Sequence, residues 1–64
     1  MSKDSYKLCA RVIDNQTGEQ KTRRWFCSAG AADRWSEKML GKYDDIAVYV
    51  YDTDGELVQV WEAA

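Results

Sequence analysis

The stretch Ile46-Ala47-Val48-Tyr49-Val50-Tyr51-Asp52-Thr53-Asp54-Gly55-Glu56-Leu57-Val58-Gln59-Val60-Trp61-Glu62 decides the fold. Its first half places Ile46, Val48 and Val50 on one side and Ala47, Tyr49 and Tyr51 on the other. A period of two built from β-branched and aromatic residues is the signature of a strand. Asp52-Thr53-Asp54-Gly55 supplies turn chemistry, ending in a glycine free to enter the left-handed region, and Glu56 to Glu62 runs back. Residues 45–62 are therefore expected to form a hairpin.

Upstream the pattern repeats. Tyr6, Leu8, Ala10 and Val12 alternate with Lys7, Cys9, Arg11 and Ile13, and Asn15-Gln16-Thr17-Gly18 reads as a type I turn closed by a left-handed glycine. Gln20 to Cys27 returns, giving a first hairpin over 6–27. Between the hairpins, Ser28 is a good N-cap, and Ala32, Trp35, Met39 and Leu40 recur at helical spacing. A helix over 28–41 is expected, with Gly30 weakening its first turn and Gly41 closing it in the C′ position. Residues 1–5 are expected to form a flexible N-terminus. The order is ββαββ: an α+β fold, one domain over 1–64, with a four-stranded antiparallel sheet and one helix packed on one face. Strand orders 2-1-3-4 and 1-2-4-3 both satisfy the connections.

Composition narrows the function. Sixty-four residues allow one small core, and three Trp, four Tyr and one Phe can fill it. The chain has no histidine, which removes the commonest general base and the commonest zinc ligand, so neither an enzyme nor a metal or cofactor site is expected. Cys9 and Cys27 are two ligands short of a structural zinc site, and their spacing gives no disulfide framework; reduced thiols are expected. Asp52-Thr53-Asp54-Gly55-Glu56 has the alternate carboxylates of a calcium loop but lacks the later bidentate glutamate and lies between strands, so it is read as a turn. The polar opening residues and the lack of a long apolar run argue against a signal peptide or a membrane span and for a cytoplasmic protein.

If both glycines sit at one-residue bulges, Asn15 opposes Glu19 and Asp52 opposes Glu56, and the cross-strand pairs follow by counting. Leu8 meets Phe26, Val12 meets Thr22, Val50 meets Val58 and Val48 meets Val60 beneath the helix. These residues, with Ile46, Trp35, Met39 and Leu40, form the expected core. On the far side Cys9 meets Trp25, Arg11 meets Arg23, Ile13 meets Lys21, Tyr51 meets Leu57, Tyr49 meets Gln59 and Ala47 meets Trp61. One helix covers one face of a sheet, so the uncovered face is where function is sought. There the count brings basic and aromatic residues together, and Arg11, Arg23, Trp25, Tyr49, Tyr51 and Trp61 are the candidate partner-binding residues.

Trp, Tyr and Arg dominate protein interfaces, and the same residues bind single-stranded nucleic acid by stacking and phosphate neutralisation. The net charge of −2 combines a first hairpin holding the basic cluster Lys21, Arg23 and Arg24 with an acidic second hairpin. That polarity suits head-to-tail self-association or docking on a charged protein groove better than tracking a phosphate backbone. The expected function is thus a small non-enzymatic binding or regulatory protein that docks on another protein. A single-stranded nucleic-acid binder using the same face, or a homodimer seam there, are the alternatives. In layout alone the chain resembles the accessory proteins with which bacteriophages bind and redirect a host enzyme or defence complex, which would make it an inhibitor or modulator.

Overall fold

Two glycines fold the chain back on itself: Gly18 has φ +77° and Gly55 φ +83°, a region where a side chain is strained. In the computed structural model, which describes residues 6–62, these turns join β1 (Leu8–Asp14) to β2 (Gln20–Phe26) and β3 (Ile46–Asp52) to β4 (Leu57–Glu62). The helix α1 (Ala29–Lys42) lies between the hairpins. The four strands form one antiparallel sheet in the order β2-β1-β3-β4, the first of the two orders the connections permit. The expected flexible N-terminus, residues 1–5, lies outside the described residues.

Ser28 caps α1 as expected, its hydroxyl accepting from the Ala31 amide at 3.3 Å. The other end differs from expectation. Gly41 lies inside the last turn, and the cap is Tyr43, in extended conformation, whose amide donates to the Met39 carbonyl at 3.0 Å. Tyr43 packs against the core, which anchors the chain as it leaves the helix. The left-handed residue comes two positions later, at Asp45 with φ +53°, a conformation aspartate tolerates better than most. The Asp45 carboxylate accepts from Asn15 Nδ2 at 3.2 Å and Gln16 Nε2 at 3.1 Å, and its carbonyl accepts from the Asn15 amide at 3.1 Å. These bonds tie the first hairpin loop to the connection between α1 and β3.

Each hairpin carries a bulge away from its turn. In the first, Asp14 rather than Asn15 bonds to Glu19, its amide donating to the Glu19 carbonyl at 2.9 Å, so the loop is one residue longer than expected. The Asp14 side chain supports this loop by accepting from the Gln16 amide at 2.8 Å. An irregularity at Lys21 absorbs the extra residue: Ile13 pairs with Gln20, while Val12–Thr22, Arg11–Arg23, Cys9–Trp25 and Leu8–Phe26 keep the counted register. In the second hairpin the turn is as counted, with the Asp52 amide donating to the Glu56 carbonyl at 2.9 Å and Tyr51 facing Leu57. A bulge at Val58 then moves the rest of β4 by one residue. Val50 pairs with Gln59, Tyr49 with Val60, Val48 with Trp61 and Ala47 with Glu62.

That shift changes which residues are inside. Val58 and Val60 were expected beneath the helix, and both are exposed, at 53% and 42%. Trp61 takes their place, packed against a cluster of Ala10, Val12, Phe26, Ala32, Met39, Ile46, Val48 and Val50. One indole thus occupies the helix side of β4 where two valines were expected. Trp35 packs on Phe26 with ring centres 5.4 Å apart. Ser36, which the apolar stripe passes over, is fully buried on α1.

Candidate functional site

The sheet face away from the helix is arranged in three rows, each running across all four strands. The first row is Trp25, Cys9, Tyr51 and Leu57; the second is Arg23, Arg11, Tyr49 and Val60; the third is Gln20, Ile13, Ala47 and Glu62. Period two along each strand places these residues together, and antiparallel pairing aligns them. At the centre of the face the small residues Cys9 and Ala47 are 4% and 1% exposed, because larger neighbours close over them. Trp25 and Leu57, at the two ends of the first row, are 44% and 50% exposed.

Arg11 sets the electrostatics. It stands directly opposite Arg23, a like-charge pair that costs stability, and its guanidinium carbon lies 5.2 Å from the centre of the Tyr51 ring. The cation thus covers one face of Tyr51. Trp25 meets Tyr6 with ring centres 6.3 Å apart and planes tilted by 47°. Cys9, Arg11, Trp25 and Tyr51 line a hollow of about 230 Å3 that Asp52, Thr53 and Gly55 of the second turn also line. The Asp52 carboxylate is engaged by the turn itself, accepting from the amides of Asp54 at 2.9 Å and Glu56 at 3.0 Å.

Five of the six candidate residues share this face: Arg11, Arg23, Trp25, Tyr49 and Tyr51. Trp61 does not. The bulge at Val58 turns it to the helix side, where it lines, with Leu40 and Tyr43, a groove of about 700 Å3 that Glu37, Asp44, Asp45 and Glu62 also line. Lys21 is likewise displaced from the face by the bulge in β2. Its Nζ lies 3.6 Å from Asp14 Oδ2 and 5.5 Å from the centre of the Tyr43 ring. The face gains Val60, which a bulge-free count put in the core, and Leu57 becomes one of its most exposed apolar residues.

No family model, curated protein or solved structure matches the chain.

The face itself is therefore what the chemistry must be read from. Both thiols are free: Cys9 is buried within the first row, and Cys27 is exposed just after β2. Among the described residues, the one carboxyl held away from its ordinary pKa lies off the face. The Asp14 carboxyl is held below its ordinary value, first by the Gln16 amide; desolvation is the next largest effect and opposes it, and the Thr17 amide and the Lys21 ammonium add smaller lowering contributions. The arrangement on the face offers apolar and aromatic surface, one guanidinium held over Tyr51 and a second arginine opposite it. No helix among the described residues is long and apolar enough to cross a membrane.

Proposed function

We propose that the protein is a non-enzymatic binding protein of the cytoplasm, which buries this face against a protein partner and acts by occupancy, blocking or altering what the partner does. The observation that carries the proposal is the continuous row Trp25, Cys9, Tyr51 and Leu57, exposed at both ends and flanked by Arg11 and Arg23. An interface core of aromatic and aliphatic side chains with arginine beside it is the composition of binding hot spots. The lack of histidine and the two free thiols support the non-enzymatic and cytoplasmic parts of the proposal. The modulator role, of the kind phage accessory proteins play, rests on layout alone.

The same face suits single-stranded nucleic acid less well. Bases stack on open ring faces, and Arg11 lies over one face of Tyr51. Half of the face is built from Ala47, Tyr49, Tyr51, Leu57, Val60 and Glu62, with no cation among them. Phosphates would find partners only on β1 and β2.

Affinity capture from cytosolic extract, with and without nuclease and over a salt series, tests the proposal. A protein retained after nuclease treatment and at high salt by the wild type, and lost by Arg23→Glu/Trp25→Ala, is the expected result. Retention that disappears with nuclease and falls steeply with salt would instead establish nucleic acid as the ligand.

A further inference from the structure

In the groove of about 700 Å3 between the end of α1 and β4, every charged side chain of the lining is negative. Glu37, Asp44, Asp45 and Glu62 are its carboxylates, all on exposed residues. Among the described residues the only ion pair, Lys21 with Asp14, leaves all four without a cationic partner. Asp45 is held by Asn15 Nδ2 and Gln16 Nε2, neutral donors that fix its carboxylate without cancelling its charge. Two of the chain's own lysines reach the edge of the groove at Tyr43: Lys21 and Lys42 place their Nζ atoms 5.5 and 5.4 Å from its ring centre. They engage the ring and leave the carboxylates open.

The backbone continues the same sign. α1 closes with the bond from the Tyr43 amide to the Met39 carbonyl, and the next carbonyls, those of Leu40 and Gly41, accept no amide from the chain that follows. A helix C-terminus with free carbonyls carries partial negative charge. Gly41 puts no side chain over it, and a Cβ added there would meet nothing within 4 Å. Glycine weakens a helical turn, and neither crowding nor a positive φ requires one at this position. What Gly41 does provide is room in the groove.

The acceptors are spread along the groove rather than gathered at one point. Among the described residues no three acidic or thiol side chains are placed to hold a metal ion, which demands several ligands at once. An extended cation with several donors fits better. A guanidinium is planar, weakly hydrated and forked, so it can bridge separated carboxylates and carbonyls, and its methylene stem packs on apolar surface. Tyr43 already carries the two lysines, which leaves Leu40 and Trp61 for that stem. We propose that this groove binds an arginine side chain from a basic segment of a partner protein, the carboxylates and the last-turn carbonyls of α1 accepting from its guanidinium. The groove shares none of Arg11, Arg23, Trp25, Tyr49 and Tyr51 with the open face, so the contact stands independently of the reading given to that face.

Nuclear magnetic resonance of the full chain, titrated with a blocked Gly-Arg-Leu-Arg-Gly peptide, tests the proposal. Gly-Glu-Leu-Glu-Gly and calcium chloride are the control probes. Saturable shifts of the Leu40, Gly41 and Asp44 amides are expected with the arginine peptide alone, weakening as salt is raised. Glu37→Lys/Asp44→Lys is expected to lower its affinity by about tenfold or more. Gly41→Leu, which fills the groove without a clash, is expected to abolish binding while circular dichroism shows an intact fold. If Gly41→Leu does not fold, the charge variant decides. Arg23→Glu/Trp25→Ala keeps the wild-type affinity for the peptide, so failure of the open-face reading and failure of this one are seen separately. An arginine peptide that shifts no groove amide, equal shifts with the glutamate peptide or calcium chloride, or unchanged affinity in the folded variants overturns the proposal.

Discussion

The guanidinium of Arg11 lies 5.2 Å from the centre of the Tyr51 ring while the residue stands directly opposite Arg23. Two cations are thus held side by side on an exposed sheet surface, and an aromatic ring compensates one of them. Such an arrangement lowers the stability of the free protein and leaves two adjacent cations on the open face.

Replacing Arg23 by Glu therefore stabilises the isolated protein. Removing a like-charge cross-strand pair and adding an opposite one is worth on the order of 0.2–1 kcal/mol. Urea unfolding at low salt is expected to show a higher midpoint, with the gain shrinking as salt is raised. An unchanged or lower midpoint at low salt contradicts the pairing.

Trp61 and Trp25 separate core from face. Trp61 packs against the buried cluster, whereas Trp25 is 44% exposed on the open face. Trp61→Ala is expected to cost about 2–4 kcal/mol, and Trp25→Ala about 1 kcal/mol or less. Thermal melts compare them directly. Equal losses, or a greater loss at Trp25, would mean that β4 lacks the Val58 bulge.

Ser36 is fully buried, and its hydroxyl has no hydrogen-bond partner. Removing a buried unpaired polar group in a helix, and leaving the best helix former, gains about 1 kcal/mol. Ser36→Ala is thus expected to raise the melting temperature by about 4–8 °C, the shift a change of that size produces in a domain this small. A lower melting temperature would mean that the hydroxyl is satisfied.

Acid stability depends in part on Asp14. Its folded pKa is depressed, chiefly by the Gln16 amide, so its contribution is fully present above the unfolded value of about 4 and is lost as pH falls through the lower folded value. The urea midpoint should accordingly decline more steeply below about pH 4 in the wild type than in Asp14→Asn, which keeps an acceptor for the turn and removes the titration. Parallel declines would show that Asp14 does not contribute.

The sequence reveals the elements because alternation in Ile46–Tyr51, the turn chemistry of Asp52–Gly55 and the Ser28 cap are local signals. Strand order was open because both candidate orders satisfy the connections, and only packing selects between them. The errors in which side chains face the helix share one cause. A bulge adds a single residue without a composition signal, and beyond it every side chain changes face. In β2 the bulge at Lys21 offsets a longer loop, so Arg11, Arg23 and Trp25 keep their counted pairs; in β4 nothing offsets the bulge at Val58, and Trp61 and Val60 exchange sides. Ser36 was passed over because hydrophobic periodicity does not register a small polar residue at a buried position.

Capture from cytosolic extract by the wild type and by Arg23→Glu/Trp25→Ala, side by side after nuclease treatment, tests the central claim most directly. Both proteins are expected to be folded by circular dichroism, and the wild type alone to retain a discrete protein at high salt. Equal recovery of the same protein by both would contradict the assignment of binding to the open face.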